Sequence, residues 1–428
     1  MLQLIKGFKD ILPEEARVWR HIEQMTADTF ADFGFAEIRP PVMEKATLFE
    51  KSIGEDTDIV EKEMYTFADR TGQLITLRPE ATASVVRAYI QHKLYAGDPV
   101  QKLYTIGPMF RRERPQKGRY RQFHQINAEA LGISAPYIDA QLILMLMTLL
   151  KDRLSVSDAG LHLNSLGCRQ CRPDFKTALI GFLKSKQPDL CADCARRMDR
   201  NPLRVLDCKV EGCRQATAEA PAMTDFLCSD CREHFDTVTG LLNDMGLAYE
   251  LDKRMVRGLD YYTRTTFEVQ TGKLGAQSAI AGGGRYDELV KMLDGPDQPA
   301  VGFAIGFERL AEIVANEDVV PEARGVDLFI AALGDQSREK AFGWMCDLNR
   351  SGFRAEMAFE DRSLKSQMKL ADRLHAARTL IVGDAELESG IAPLRDMTTK
   401  DQQEIAIDNL TEAIKPLLTN TDKQQRNR

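Results

Sequence analysis

The chain contains 428 residues, of which 43% are apolar and 28% charged, and its formal net charge is −7. This length is enough for two or three domains with sizeable cores, and the composition is ordinary for a soluble protein and does not indicate disorder outside the termini. The most apolar stretch, residues 142–150, is far shorter than the roughly 18 residues of a membrane span, and the N-terminus lacks the apolar segment of a secretory signal. We therefore predict a cytoplasmic protein with no membrane segment.

The beginning of the chain predicts a helix followed by short strands. Apolar residues at helical spacing predict an amphipathic helix over residues 14–31. A short apolar alternation then ends at Pro40 and Pro41, where proline suits the end or edge of a strand. Residues 63–79 predict a hairpin, with Gly and Asp in its turn.

A polar segment follows this hairpin and begins the next helix. The residues Arg78-Pro79-Glu80-Ala81-Thr82 end the second strand and precede a predicted helix at 83–94. Thr82 is suited to capping that helix as well as to binding a ligand, and its position alone does not decide between the two roles. Residues 137–154 predict a further, strongly apolar helix.

Residues 103–110 and 120–131 predict two strands joined by a basic loop. Between Arg111 and Arg121 the loop carries six cations and one anion, a local charge of +5. Such a loop in an acidic chain favours a specific anionic partner, phosphate or nucleic acid. Period-2 alternation places Gln125, Asn127 and Glu129 on one face of the second strand. That face either lines a cavity for a polar ligand or is a solvated face of an antiparallel sheet.

Eight of the nine cysteines form four close pairs in one segment. The pairs are Cys168/Cys171, Cys191/Cys194, Cys208/Cys213 and Cys228/Cys231. Close pairs of this kind are typical of tetrahedral zinc, and four of them furnish two four-thiolate sites. We therefore predict structural zinc with no part in catalysis. Reduced thiols without metal, an iron–sulfur cluster and pairs that have lost their metal remain alternatives.

The last 170 or so residues contain glycine-bearing stretches and a repeating strand–helix pattern. Residues 255–262 lead into a β-prone run, in which adjacent tyrosines are usually core packing. Residues 281–287, Ala-Gly-Gly-Gly-Arg-Tyr-Asp, lack the spacing of a P-loop or a dinucleotide fingerprint, so we predict a tight turn before a helix at 287–293. Residues 301–310 predict a strand that runs into a helix. From about 325 to 418, alternating strands and helices predict a small α/β domain with a largely parallel sheet.

Several of these stretches resemble the class II aminoacyl-tRNA synthetases. Residues 107–125, GPMFRRERPQKGRYRQFHQ, are similar to motif 2 of that class in its histidyl-tRNA synthetase form. Residues 255–262, MVRGLDYY, resemble the signature of histidine-specific members and are the most specific match. Residues 33–49 resemble motif 1 and residues 301–310 resemble motif 3. Residues 77–82 resemble an LRPEGT segment of the family, with alanine at position 81 in place of the common glycine.

The resemblance covers nearly the whole chain and implies its architecture. The implied fold class is α/β and α+β multidomain, with the class II antiparallel sheet flanked by helices. The implied domains are a discontinuous catalytic domain at 1–160 and 250–322, an inserted domain at 161–249, a C-terminal α/β anticodon-binding domain at 325–420, and a frayed tail at 421–428. Motif 1 builds the subunit interface in this family, which implies a homodimer, and the inserted domain is expected to lie over bound tRNA.

The implied reaction ligates L-histidine to tRNA(His) in two steps. ATP, as its Mg²⁺ complex, converts histidine to histidyl-adenylate, and the histidine is then transferred to the 3′ end of the tRNA. The implied roles are catalysis at the α-phosphate for Arg111 and Arg257; ATP binding for Arg111, Glu113, Phe123 and Arg309; histidine binding for Glu80, Thr82, Gln125, Glu129, Tyr261 and Tyr262; and contact with the tRNA acceptor end for Arg114 and Gln116.

Two readings from other classes compete with this one. A catalytically silent, synthetase-like regulatory subunit of ATP phosphoribosyltransferase is the main alternative. Such relatives typically lack the C-terminal domain and the ATP-binding arginines, and this chain has both. A zinc-ribbon nucleic-acid binder would explain the cysteine segment and leave the other motifs unexplained.

Overall fold

The computed structural model describes residues 2–54, 57, 59–115, 118–257, 261–274, 279–317, 319–322 and 324–425. The chain forms two compact units, Met1–Pro321 and Glu322–Arg428. None of the described helices combines the length and the apolar composition that crossing a bilayer requires.

The first unit contains the strands and helices of the predicted catalytic and inserted domains. Its strands are β1 (Ala36–Glu37), β2 (Met43–Lys45), β3 (Tyr65–Ala68), β4 (Leu74–Leu77), β5 (Gln101–Phe110), β6 (Gln122–Leu131), β7 (Gly160–Ser165), β8 (Glu250–Leu251), β9 (Thr263–Gln270), β10 (Ala279–Arg285) and β11 (Ala300–Gly306). Its helices are α1 (Pro13–Asp32), α2 (Ala46–Ile53), α3 (Thr82–Gln91), α4 (Tyr137–Met147), α5 (Arg172–Ser185), α6 (Ala192–Arg197), α7 (Leu203–Leu206), α8 (Glu211–Ala216), α9 (Ser229–Asp244), α10 (Leu289–Met292) and α11 (Phe307–Val314). The predicted first helix, the hairpin at 63–79 and the strand pair around the basic loop are confirmed.

The main sheet of this unit has eight strands in the order β1-β5-β6-β11-β10-β9-β7-β8. The six inner strands pair antiparallel, whereas the short edge strands β1 and β8 pair parallel with β5 and β7. The predicted antiparallel sheet flanked by helices is therefore confirmed. A separate antiparallel sheet of three strands has the order β2-β4-β3.

Helices cover one face of the main sheet. Each of four helices, α1, α4, α9 and α11, contributes a fully buried apolar residue to the same core: Ile22, Leu146, Val238 and Leu310. Ile126 and Ala128 of β6 join this core. Because side chains alternate along a strand, Gln125, Asn127 and Glu129 lie on the opposite face. That face is where the site described below is formed.

The glycine-rich stretch at 281–287 is not a tight turn, and that prediction is wrong. Its glycines belong to β10, an inner strand of the main sheet. A Cβ on Gly283 would collide with a backbone oxygen of β11, and a Cβ on Gly282 would collide with the guanidinium of Arg257. The glycines therefore permit close approach of a strand and of an arginine, which local turn propensity does not reveal. The predicted helix at 287–293 is the shorter α10.

The cysteine segment lies between β7 and β8 and contains α5 to α8 and the start of α9. It has a small core of its own, which includes Phe175 and Val205 as well as the cysteines. The strand β7 belongs to the main sheet, although residues 161–165 fall within the predicted inserted domain. In the structure these residues continue the main sheet by pairing with β9.

The second unit is a five-stranded sheet with helices. Its elements are β12 (Leu328–Ala332), α12 (Asp335–Arg350), β13 (Ala355–Met357), α13 (Leu364–Arg373), β14 (Arg378–Val382), α14 (Asp384–Ser389), β15 (Ile391–Asp396), β16 (Gln402–Ala406) and α15 (Leu410–Gln425). The predicted α/β pattern is confirmed. The sheet is only half parallel, because β12 pairs parallel with β13 and β14 whereas β15 pairs antiparallel with β14 and β16. The helix α15 extends into the predicted frayed tail, of which residues 426–428 lie outside the described residues.

Candidate active site

A cavity of about 300 Å³ lies on the polar face of the main sheet in the first unit. Its wall is formed by the start of α3, the basic loop, and strands β6, β9, β10 and β11. Ten residues that the resemblance assigned to catalysis or binding line it: Glu80, Thr82, Arg111, Glu113, Phe123, Gln125, Arg257, Tyr261, Tyr262 and Arg309. Residues from four separate stretches of the sequence, 77–82, 107–125, 255–262 and 301–310, therefore meet in one place.

Of the residues predicted to bind histidine, ATP or tRNA, two that the structure describes do not line this cavity. Glu129 lies directly behind the wall, where it contacts Thr82 and Tyr286. Arg114 is exposed in the basic loop. Gln116 lies outside the described residues. The proposed contacts of Arg114 and Gln116 with tRNA stay predictions.

Arginines dominate one side of the cavity. The Nε atom of Arg111 donates a hydrogen bond to the carbonyl oxygen of Pro79 at 2.9 Å, and the Arg111 guanidinium lies 5.3 Å from the ring centroid of Phe123. Burial lowers the pKa of Arg111. Burial, together with repulsion from Arg119 and Arg111, also lowers the pKa of Arg309. Mutual repulsion among partly buried cations is relieved when an anion binds between them.

Arg257 approaches the cavity from the opposite strand pair. Its Nη1 atom donates to Oε2 of Glu268 at 2.9 Å, and its guanidinium lies 5.6 Å from the ring centroid of Tyr262. The guanidinium passes over Gly282, where any larger residue would displace it. This glycine therefore fixes the position of the arginine.

The start of α3 forms the far end of the cavity. Glu80 is 3% exposed, and its two carboxylate oxygens accept from the backbone N–H groups of Thr82 at 2.7 Å and Ala83 at 2.9 Å. Glu80 rather than Thr82 therefore satisfies the first N–H groups of the helix. Burial raises the pKa of the Glu80 carboxyl, although these backbone groups act in the opposite direction. Ala81 has φ −101° and ψ −28°, which any residue adopts, so the conformation here does not require glycine.

Glu129 is almost completely buried at 1% exposure. Its Oε1 atom accepts from the hydroxyl of Thr82 at 2.7 Å, and Oε2 accepts from the hydroxyl of Tyr286. Burial raises the pKa of this carboxyl to about 8, and the nearby Glu80 carboxylate adds to the shift. A Cβ on Gly302, which lines the cavity, would collide with Oε2 of Glu129. The carboxylate therefore stands at the cavity wall, behind a glycine.

Two amide side chains on β6 have buried oxygen atoms without a hydrogen-bond partner among the described residues. They are the Oε1 atom of Gln125 and the Oδ1 atom of Asn127. Both residues line the cavity. Since buried polar atoms in native proteins are nearly always paired, these two oxygens indicate a ligand that donates hydrogen bonds.

The site also contains residues to which no role was assigned from the sequence. Tyr286 lies in the stretch taken for a turn, and its ring is 5.6 Å from that of Tyr261 and 6.5 Å from that of Tyr262. Asn127 was predicted to lie on the polar face, but no role was assigned to it. The sequence does not indicate that Glu268 binds Arg257, since glutamates are common on the solvated faces of strands.

The eight paired cysteines form two groups of four. We call Cys168, Cys171, Cys228 and Cys231 the first cluster and Cys191, Cys194, Cys208 and Cys213 the second cluster. Within each cluster all sulfur atoms lie within 4.8 Å of one another. The outer two pairs of the sequence thus meet, and so do the inner two.

Sulfur spacing in both clusters matches a tetrahedral metal site. The Sγ atom of Cys168 lies 3.6 Å from that of Cys171 and 3.9 Å from that of Cys228, and Cys191 and Cys208 are 3.9 Å apart. A zinc–sulfur bond of about 2.3 Å implies sulfur–sulfur edges of about 3.8 Å. The donor set and its spacing therefore fit zinc.

Comparison with known proteins agrees with the geometry. A family model described as "Histidyl-tRNA synthetase" matches residues 7–310, and one described as "Anticodon binding domain" matches residues 327–417. The chain belongs to the histidyl-tRNA synthetase family. The second match supports the predicted class of the C-terminal unit of this synthetase.

Individual relatives of this synthetase match along its whole length. A protein of Desulfosudis oleivorans named "Histidine--tRNA ligase" is 68% identical over 427 residues, which is 100% of both chains. A protein of Desulfatibacillum aliphaticivorans with the same name is 58% identical over 421 residues, 98% of this chain and 99% of that one. The crystal structure of apo S. aureus histidyl-tRNA synthetase is 35% identical, with a TM-score of 0.80 over 96% of this chain and 99% of that one. These matches do not favour the regulatory-subunit alternative.

Proposed function

We propose that this chain ligates L-histidine to tRNA(His), by forming histidyl-adenylate from histidine and ATP and then transferring histidine to the tRNA. The observation that carries the proposal is the single cavity in which cations suited to a triphosphate adjoin a polar end suited to an amino acid. Family membership supports the same reaction. A catalytically silent regulatory subunit would not need arginines that bind a triphosphate beside a pocket for an amino acid.

In the first step, a carboxylate of histidine attacks an α-phosphate that is already anionic. The site must therefore supply positive charge where negative charge grows. We assign Arg111 and Arg257 to the α-phosphate from opposite walls, since a guanidinium binds phosphate oxygens through two parallel hydrogen bonds. Arg309 holds the pyrophosphate end, and Mg²⁺ enters with ATP as part of the substrate. Phe123 stacks on the adenine, and Glu113 contacts its edge.

Histidine occupies the end of the cavity between α3 and the tyrosines. The α-ammonium group binds to Glu80, Thr82 and Gln125. Glu80 offers a carboxylate oxygen, Thr82 a hydroxyl oxygen, and Gln125 an amide oxygen that has no partner among the described residues. The imidazole ring needs one acceptor and one donor. Glu129 and the hydroxyls of Tyr261 and Tyr262 supply them. A different amino acid would leave these buried groups unpaired, which costs roughly 10⁴-fold or more in specificity.

The tRNA meets the enzyme at two places in this proposal. Arg114 and Gln116 in the basic loop contact the acceptor end, and the C-terminal unit at 325–420 reads the anticodon. The domain roles follow the predicted boundaries, with the insertion starting after Ser165.

We further propose a cytoplasmic homodimer. Met43 and Phe67, on one face of the small three-stranded sheet, are 52% and 46% exposed, and exposed apolar residues on one face favour a protein interface. The thiols of the two clusters need a reducing compartment to bind metal rather than form disulfides.

Both clusters bind structural zinc in this proposal, and their sulfur spacing is the observation that favours it. Metal analysis of chain purified without added metal should find two zinc ions per chain, one for each cluster. Cys168→Ser and Cys191→Ser should each reduce the content to one. Metal-free protein in which all eight cluster thiols titrate freely, or iron with its visible absorbance, would contradict zinc.

Aminoacylation tests the main proposal. Purified enzyme with ATP, Mg²⁺ and radiolabelled histidine should charge a tRNA(His) transcript, and Arg257→Gln should abolish charging. Charging of an unrelated tRNA at the same rate, or no charging at all, would contradict the assignment.

A further inference from the structure

Residues beside the first cluster hold the tyrosine segment of the cavity from behind. Arg172 follows Cys171 directly, and its guanidinium donates from Nε to the carbonyl oxygen of Leu166 at 3.2 Å and from Nη2 to that of Tyr262. Two residues after Tyr262, the N–H of Arg264 donates to the carbonyl of Gly167 at 2.9 Å, next to Cys168. The cavity tyrosines and the first cluster therefore share a backbone connection.

A second connection runs through α9. His234 lies one turn after Cys231 and is 5% exposed. Its Nδ1 atom is 3.3 Å from Nη1 of Arg264, and its Nε2 atom is 3.1 Å from Oδ1 of Asp139 on α4. Because a guanidinium only donates hydrogen bonds, Nδ1 accepts and the proton on Nε2 is donated to Asp139.

The connection continues from Asp139 into the histidine end of the cavity. Nη1 of Arg285 donates to Oδ2 of Asp139 at 2.5 Å, and both side chains are completely buried. Arg285 immediately precedes Tyr286, whose hydroxyl donates to Glu129. Any displacement of Asp139 therefore moves the residue next to Tyr286.

We propose that Arg172 and His234 are positioning residues of the histidine pocket, which join its tyrosines to the first cluster. This inference rests on the proposed function, because it concerns the histidine end of that site. Arg172 holds the backbone at Tyr262 through its carbonyl oxygen. His234 holds Asp139, which forms an ion pair with Arg285, the residue directly before Tyr286. The rings of Tyr261 and Tyr262 are 4.8 Å apart, and Tyr261 contacts Tyr286, so the two supports act on one aromatic group. Arg111 and Arg309 of the ATP end donate instead to the carbonyl oxygens of Pro79 and Ala279, whereas Arg257 lies against the ring of Tyr262.

Histidine-dependent exchange of pyrophosphate with ATP, measured without tRNA, tests Arg172. Arg172→Gln should raise the KM for histidine by about tenfold, as expected when a buried carbonyl loses a charged donor, with the KM for ATP changed less than about twofold. Arg214→Gln is the matched control, because Arg214 follows Cys213 of the second cluster directly but is exposed, and it should leave both KM values unchanged. The zinc content of Arg172→Gln should equal that of the wild type.

The His234 variants separate positioning from folding. His234→Ala should raise the KM for histidine by about tenfold, and His234→Gln should recover most of the loss, because the amide keeps a donor for Asp139. An unchanged KM for histidine in Arg172→Gln, or equal changes in the KM for ATP and histidine, would overturn the inference. If His234→Ala does not fold, His234→Gln and Arg172→Gln decide the question. Absence of exchange in the wild type would instead contradict the proposed function.

Discussion

Replacing Glu129 with glutamine separates two effects of this carboxyl, the loss of stability that its burial causes and its part in recognising histidine. Glu129→Gln keeps the shape of the side chain and removes its titration. Burial raises the pKa of the folded-state carboxyl to about 8, from an ordinary value of 4.5. Between these values the folded protein holds a proton that the unfolded chain has released, so the free energy of unfolding falls as the pH rises through this window.

The size of this effect follows from the shift. Each pKa unit corresponds to about 1.4 kcal/mol, so the shift of Glu129 lowers the free energy of unfolding by on the order of 5 kcal/mol between pH 4.5 and pH 8. The glutamine variant escapes this loss. Its melting temperature relative to the wild type should therefore rise by roughly 5 °C as the pH increases across this range. Glu23→Gln, at an exposed position on α1, should show no such trend.

Activity should move in the opposite direction to stability. Loss of the carboxyl that faces the ligand leaves a buried polar group without its partner, which costs about 1–3 kcal/mol, so kcat/KM for histidine in pyrophosphate exchange should fall by about 5- to 150-fold, with the KM for ATP nearly unchanged. Differential scanning fluorimetry across pH and exchange assays at pH 7.5 measure the two effects. A melting-temperature difference that does not vary with pH would refute the buried, proton-holding carboxyl. Unchanged histidine kinetics would refute its part in recognition.

Three further substitutions test other parts of the account. Arg257→Lys keeps the positive charge but loses the two parallel hydrogen bonds of a guanidinium. The kcat of pyrophosphate exchange should fall by about 100-fold. Gly282→Ala should lower kcat similarly, because its Cβ would displace the Arg257 guanidinium, whereas Gly343→Ala, a helical glycine with open space around it, should not affect kcat. Asp139→Asn removes one carboxylate partner of the buried Arg285 and leaves Asp287, and it should lower the free energy of unfolding by about 3 kcal/mol in urea titrations. Retention of wild-type values by any of the three would contradict the corresponding contact.

Much of the site could be predicted where chemistry and local pattern coincide. The alternation in β6 placed Gln125, Asn127 and Glu129 on one face, and the structure turns that face towards the cavity. The basic loop brought Arg111 to the same place. Such predictions succeed because a strand fixes the direction of its side chains from the sequence spacing alone.

Features that depend on distant neighbours could not be predicted. Gly282 and Gly283 lie in a strand, where the lack of a side chain lets Arg257 and β11 come close to them. The local sequence pattern predicts a turn instead. The sequence shows four cysteine pairs but not which pairs meet. His234 and Asp139 are 95 residues apart and belong to no motif, so only packing shows that they pair.

We infer that one cavity activates histidine with ATP. ATP–pyrophosphate exchange by the purified enzyme, with each amino acid supplied in turn, measures this activation. We expect exchange with histidine alone, at a rate that falls sharply in Arg111→Gln and Arg257→Gln. Exchange that is absent with histidine, or equally fast with other amino acids, would contradict it.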